Sequence, residues 1–383
     1  MRGPTGRYEV TSTAGEEVRA FVPAPLPPTD LVLTTADQTL MELANRALGR
    51  LDGFARVLPD PALLVYGYIR REAVLSSQIE GTQSSLSDLL AYENDHAPGV
   101  PIANDAREVL NYVRAMEYGL DRLQTLLLSI RLLREIHGHL LQAGRGGDKA
   151  PGELRRSQNW IAGTRPGNAV FVPPPPHLVM ECLGALELFL QNESEPYPAL
   201  MKAALSHVQF ETIHPFLDGN GRLGRLLITL LLVSEGALAQ PLLYLSLYFK
   251  VNRGEYYSLL QAVRTQGVWE EWLRFFFRGV LEVAELAVTK ATRLLELFKA
   301  DRFVIEQKLG RKAGSALRVH EQMQRGPIVK IPELASKLHM SKPTISTAID
   351  ELQTLSLVQQ LGDQKWGRVF YYVGYLNILN EDT

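Results

Sequence analysis

The feature that most limits this chain is a change of texture at residues 214–225. Two apolar segments with three- and four-residue spacing, ALMKAALSHVQFETI before it and RLLITLLLV at its end, read as helices. Between them stands HPFLDGNGRLGR: a histidine, an acid, a Gly-Asn-Gly triplet and two arginines three residues apart. Any fold must therefore close a helical core around a polar turn. Gly219, Asn220 and Gly221 precede a helix start, where outward amide N–H groups and the helix dipole form an anion nest. Arg222 and Arg225 fall on the first turn, spaced to reach one polyphosphate, and guanidinium forks suit phosphate oxygens. Asp218 supplies the single carboxylate that a phosphate-bound Mg²⁺ needs. His214, at the preceding helix end, is the group here that titrates near neutrality and can take a proton from an attacking hydroxyl. Together these are the parts of a phosphoryl- or nucleotidyl-transfer site.

The remainder of the chain supports a mainly helical fold. Helical spacing begins at Ala36 and returns over 62–80, 86–92, 106–124, 129–141, 178–191, 199–213, 223–235, 254–265 and 268–299. Residues 1–35 read as irregular, with short strand-like alternation and then a Pro-rich arm. NWIAGTRPGNAVFVPPPP alternates, turns at Pro166-Gly167, alternates again and stops at four prolines, a β-hairpin pattern around 161–172. From about Ala316 the order is helix, turn, helix and two strands with a turn near Gly362-Asp363, that of a winged helix-turn-helix. Ser341 caps its second helix. The expected division is an N-terminal arm and helix region over 1–100, a core over 101–290, and a linker helix with the winged unit over 291–383.

Composition narrows the functional classes. With 383 residues and a net charge of −2, the chain has no global pull toward nucleic acid or membrane. Its one cysteine, Cys182, excludes an internal disulfide and sits on an apolar helical stripe, which reads as a buried side chain. The N-terminus lacks a signal-peptide pattern, and Leu226–Val233 is too short to cross a bilayer. A reducing cytoplasm is the expected location. Asp350 and Glu351 make the recognition-like helix only mildly basic, so the tail reads as a packing or dimerisation module ahead of a DNA reader.

HPFLDGNGRLGR resembles the Fic family signature, His-Pro-Phe-x-Asp/Glu-Gly-Asn-Gly-Arg-x-x-Arg, at every defined position. GELRRSQNWI, the hairpin, YLSLYFKVNRGEYYSLLQAVR and the tail ending YYVGYLNIL extend the resemblance over nearly the whole chain. It implies a Fic-type helical bundle with a β-hairpin flap, and transfer of AMP from ATP to a Ser, Thr or Tyr hydroxyl of a target protein. By motif position it implies His214 as general base and Asp218 as Mg²⁺ ligand. Asn220 and the glycine amides would hold the α- and β-phosphates, Arg222 the β-phosphate region and Arg225 the γ-phosphate. Phe216 would anchor the loop. Asn252 and Tyr256, with Tyr257 beside them, are candidates for the adenine or ribose pocket, although tyrosines at helical spacing are more often core. The flap residues Gly163, Thr164, Arg165 and Gly167 would dock an extended target segment by strand addition.

A second motif lies far upstream. In SSQIEG, Ser76 and Glu80 are one helical turn apart and Gly81 follows. A carboxylate in a helix's last turn opposes the dipole and prefers a cation. The stretch is similar to the Fic inhibitory motif Ser/Thr-x-x-x-Glu-Gly/Asn, which implies a Glu80–Arg225 pair in the place of the γ-phosphate. Other readings stay open at this stage: transfer of UMP, phosphate or phosphocholine, removal of AMP, a nucleotide-sensing DNA regulator, and a homodimer.

Overall fold

A computed structural model describes residues 2–13, 15–57, 60–94, 104–142, 146–192, 197–361 and 367–381; the side chains of Val57, Ala91, Asn94 and Asn104 are also outside this account. The chain opens with an antiparallel hairpin, β1 (Gly6–Thr13) and β2 (Glu16–Pro23), where an irregular arm was expected. The pairing holds because Ala20, Phe21 and Val22 of β2 are buried. The Pro-rich stretch then leads into α1 (Thr35–Val57), α2 (Ala62–Ile79), α3 (Leu86–Asn94), α4 (Asn104–Arg122) and α5 (Ile130–Leu140). Ser129 caps α5 by accepting the Leu132 N–H at 3.3 Å.

Helices α6 (Val179–Leu190), α7 (Ala199–Ile213) and α8 (Asn220–Ser234) complete the centre of the bundle. Helix α7 is buried nearly all round and packs against α8, while α2 lies between α4 and the short α9 (Ser246–Val251). The sequence pattern did not assign α9, whose six residues are below the length at which periodicity can be read. Helix α10 (Arg253–Gln266) precedes α11 (Trp269–Leu309), which runs 41 residues without a break and packs along α1. At its start, Trp272 is fully buried and donates its indole N–H to the Ala204 carbonyl at 2.9 Å. Cys182 is buried and unpaired, as its apolar setting predicted.

After α12 (Ala313–Arg325) the tail forms β3 (Ile328–Lys330), α13 (Ile331–Leu338), α14 (Lys342–Thr354), β4 (Val358–Leu361) and β5 (Val369–Tyr372). The strands make one antiparallel sheet in the order β3-β5-β4 behind a helix–turn–helix. Ser341 accepts the Thr344 N–H at 3.3 Å and caps α14. The expected turn at Gly362-Asp363 lies outside the described residues. A further helix, α15 (Val373–Asn380), returns to pack on α11. Among the described residues no helix is long and apolar enough to cross a membrane.

The expected flap hairpin is reduced to a single bridge, Ile161 to Phe171, around a 3₁₀ turn over Pro166–Asn168. Pro166 and the Pro173–Pro176 run remove the donors that a longer ladder would need. The flap is held instead by its neighbours. Phe21 donates its N–H to the Val172 carbonyl at 2.8 Å, and Glu16 accepts from Arg165 Nη1 at 2.6 Å and from Gly167 N at 3.0 Å.

Candidate active site

The site forms where α7 stops and α8 starts. His214 ends α7 in the left-handed region, φ 47°, so the chain turns sharply out of the helix. Arg155 fixes that turn. Its buried guanidinium donates to the carbonyls of His214 at 2.9 Å, Pro174 at 2.6 Å and Ile213 at 3.3 Å, and its own N–H reaches the Pro215 carbonyl at 3.0 Å. Burial lowers Arg155 to about 10, which still leaves it charged at neutral pH.

Phe216 is buried and stacks on His137 of α5, ring centres 3.8 Å apart, as an anchor should. His137 also ties the loop by hydrogen bonds. Its Nδ1 accepts the Gly152 N–H at 2.8 Å, which leaves Nε2–H to donate to the Asp218 carbonyl at 3.0 Å. Burial drives His137 down to about 4, so this neutral tautomer persists. Asn220 closes the loop from inside: its side-chain amide bonds both the N–H and the carbonyl of Phe216 at 2.9 Å. What Asn220 offers an anion is therefore its backbone N–H rather than its side chain.

Gly219 stands at φ 75° before the first turn of α8, and the N–H groups of residues 220–222 have no helical carbonyl behind them. They form the cradle. The Glu80 carboxylate already lies over it, since a Cβ on Gly221 would collide with Glu80 Oε1. The same Oε1 accepts from Arg225 Nη2 at 2.7 Å, while Ser76 accepts from Arg225 through its hydroxyl and its carbonyl, both at 2.9 Å. Burial would raise Glu80, but Arg225, with Arg222 behind it, prevails and holds the carboxyl below its usual range. Gly81 at φ 101° ends α2, with Thr82 N–H reaching back to the Ser77 carbonyl at 3.2 Å.

His214 and Arg225 line one cleft of about 490 Å³ with Glu80, Gly221, Tyr257 and the flap's Ile161. Inside it His214 Nδ1 is shielded and has no hydrogen-bond partner. Burial, then the charges of Arg264 and Arg155, push His214 down to about 3, so the imidazole is neutral in this arrangement. Arg264 of α10 crosses the cleft floor. It donates to Thr212 Oγ1 at 3.1 Å and the Glu211 carbonyl at 3.2 Å, and its guanidinium lies 4.0 Å from the centre of the flap's Phe171 ring.

Arg222 is buried and pairs with Glu108 of α4 at 3.3 Å, with Asp218 further off at 3.9 Å. Asp218 is 39 % exposed at the rim, and its Oδ1 accepts the Gly219 N–H at 2.7 Å. Among the described residues there is no cluster of three His, Cys, Asp or Glu side chains that would enclose a metal. A lone rim carboxylate beside an anion cradle fits an ion that takes its other ligands from phosphate and water, as Mg²⁺ does.

The pocket candidates divide. Tyr256 is a core residue, 1 % exposed, with its hydroxyl on His207 Nε2 at 2.8 Å; it does not face the cleft. Its neighbour Tyr257 does. Asn252 leads into α10 and donates to the Tyr248 carbonyl at 3.0 Å, outside the residues lining the cleft. In the flap, Gly163 takes φ 79°, and Asn168 Oδ1 accepts the N–H groups of Thr164 and Arg165, each at 3.0 Å. Sequence reasoning missed Asn168, His137 and Arg264. GELRRSQNWI carried Arg155 without marking its role.

A histidine at a helix end, a glycine cradle on the next helix and two arginines behind it define an anion-handling site within a helical bundle. Comparisons place that class. Residues 38–121 match the Fic/DOC family N-terminal region and residues 127–232 the Fic/DOC family itself, so across 38–232 the chain belongs to the Fic/DOC family. A probable protein adenylyltransferase of Aquifex aeolicus is 30 % identical over 195 residues, covering 50 % of this chain and 54 % of that one. The protein adenylyltransferase Fic of Drosophila willistoni is 31 % identical over 184 residues, covering 48 % and 33 %. The chain thus spans about half or less of the length of these curated relatives. In fold it is similar to a Fic family protein from Desulfovibrio desulfuricans, with TM-score 0.59 and 20 % identity over 91 % of this chain and 98 % of that one. A Fic domain containing signaling protein from Bacteroides thetaiotaomicron gives TM-score 0.51 at 18 % identity, covering 64 % and 95 %.

Proposed function

We propose that this chain transfers AMP from ATP to a hydroxyl side chain of a protein, and that Glu80 holds it inactive in the arrangement described. The observation that carries this reading is the overlap at Gly221. The carboxylate and a terminal phosphate would share one seat over the α8 amides and one partner, Arg225. With Glu80 withdrawn, the amides of residues 220–222 and Arg225 receive the polyphosphate, and Arg222 adds charge from behind.

The neutral His214 then takes the proton of a hydroxyl presented along the flap, and that oxygen attacks the α-phosphorus. The new P–O bond forms as the bond to the bridging α–β oxygen breaks, and pyrophosphate leaves with that electron pair. Asp218 would hold Mg²⁺, which neutralises charge on the phosphate oxygens. The flap, braced by β2 and Glu16, supports strand addition by the target.

Mass spectrometry of the chain and of Glu80→Gly, after incubation with ATP and Mg²⁺, tests the reading. Glu80→Gly gains AMP adducts that wild type gains slowly, and Glu80→Gly combined with His214→Ala gains none. Equal labelling of wild type and Glu80→Gly would falsify the inhibitory role. An adduct from UTP in preference to ATP would overturn the choice of nucleotide.

A further inference from the structure

Helix α2 carries Ser76 and Glu80 at its end, and its opposite half is gripped by the C-terminal unit. Tyr375 of α15 donates its hydroxyl to the Leu63 carbonyl at 2.8 Å. Leu379 packs into the gap at Gly67, where a Cβ would lie 3.0 and 3.2 Å from its two methyl carbons. Arg71 donates to the carbonyls of Leu379 at 3.0 Å and Glu381 at 2.7 Å. Lys290 of α11 donates to the same Glu381 carbonyl at 2.6 Å and to Ile378 at 3.3 Å. The carbonyls that end α15 lack helical partners of their own, and two buried cations on two different helices supply them.

That arrangement couples the two ends. Arg71 is 1 % exposed, so lifting α15 takes the Leu379 and Glu381 carbonyls away from a buried cation on α2. The start of α2 is therefore cheaper to move with α15 than to leave behind. Glu80 lies nine residues beyond Arg71 along the same helix, about 14 Å of rise, with no proline or glycine between them.

We propose that the C-terminal unit is a second component of the brake: α15 positions α2 so that Glu80 sits over Gly221, and displacing that unit opens the cleft. This rests on the inhibitory reading of Glu80. Tyr375, Leu379 and Arg71 are then positioning residues that act through Glu80.

The test uses the full chain carrying Gly67→Leu, a wedge against Leu379, or the milder Tyr375→Phe, each checked for a cooperative melt. Two readouts apply: the initial rate of AMP incorporation, with and without Glu80→Gly, and amide hydrogen exchange over residues 76–81. Gly67→Leu is expected to speed exchange there and raise transfer about fivefold, Tyr375→Phe less, with no further rise on top of Glu80→Gly. If Gly67→Leu does not fold, Tyr375→Phe decides alone. The proposal fails if Glu80→Gly activates while the folded α15-contact variants stay at the wild-type rate, or if they add equally in both backgrounds. Should Glu80→Gly itself not activate, the inhibitory reading is what fails; exchange over 76–81 then decides the mechanical linkage, and unchanged exchange overturns that too.

Discussion

Glu211 shows how much one buried side chain can disclose. It lies one turn before His214, 6 % exposed, with Oε1 lacking a partner and pressed against Gly224. Burial raises its carboxyl to about 7 despite the nearby charges of Arg225 and Arg264. The folded state therefore binds its proton more tightly than the unfolded chain, and the stabilisation is lost as pH rises through 7. Glu211→Gln should melt higher than wild type by a margin that grows between pH 6 and 8; a constant margin would contradict the assignment. Arg155 gives a second residue-scale expectation. Lysine cannot span the carbonyls of Ile213, His214 and Pro174 at once, so Arg155→Lys should slacken the left-handed turn at His214. In a Glu80→Gly background the transfer rate should fall more than about tenfold with ATP affinity little changed, because only the base is misplaced. Loss of nucleotide binding would instead place Arg155 with the cradle.

Among the elements, the α7–loop–α8 unit was legible because its polar residues are contiguous: twelve residues hold the histidine, the carboxylate, the glycine turn and two arginines. The start of α8 was read three residues late, since Gly-Asn-Gly suggested loop whereas Asn220 is the first helical residue. Supports from distant elements could not be seen in the same way. Arg155, His137 and Arg264 act through backbone carbonyls and stacking, which leave no spacing signature in a sequence. Tyr256 and Tyr257 differ by one position and about 100° of helix, enough to send one into the core and the other to the cleft. The β1–β2 hairpin was read as irregular because β1 is largely exposed and its alternation brief. It nevertheless supports the flap, so Glu16→Gln should speed hydrogen exchange at the amides of Thr164, Arg165, Gly167 and Asn168 and raise KM for a protein target. Rates for self-modification by Glu80→Gly should change less. Unaltered exchange would show that Phe21 and Val172 suffice to hold the flap.

The whole molecule integrates these buried groups into one pH profile. Burial lowers His207 and His214 to about 3 and His137 and His320 to about 4, against 6.5 for an exposed histidine. The unfolded chain takes up these protons first, so stability falls as pH drops below about 6.5. Glu72 and Glu211, both raised to about 7 by burial, act in the opposite sense and favour the fold as pH falls from 8 toward 5. Four histidines outweigh two carboxyls up to about pH 7, where the unfolded imidazoles have lost their protons and the buried carboxyls are giving up theirs. The melting temperature should therefore peak at about pH 7, and Glu211→Gln should steepen the rise toward that peak from about pH 5 while leaving the profile above about pH 8 parallel to wild type. A peak shifted well above pH 8 would show that the carboxyls are ionised in the fold.

Helix α11 sets how these parts can move relative to one another. At one end Trp272 is bonded to α7; at the other Asp301 accepts from the Tyr372 hydroxyl at 2.5 Å, at the end of β5. A rod of 41 residues, about 60 Å, with no proline in it has nowhere to fold like an elbow. The tail cannot swing on a linker; it can only slide or peel along that shaft. Spectroscopic labels at the two tips of the rod should thus keep their separation while a pair joining the shaft to Asn380 reports the change.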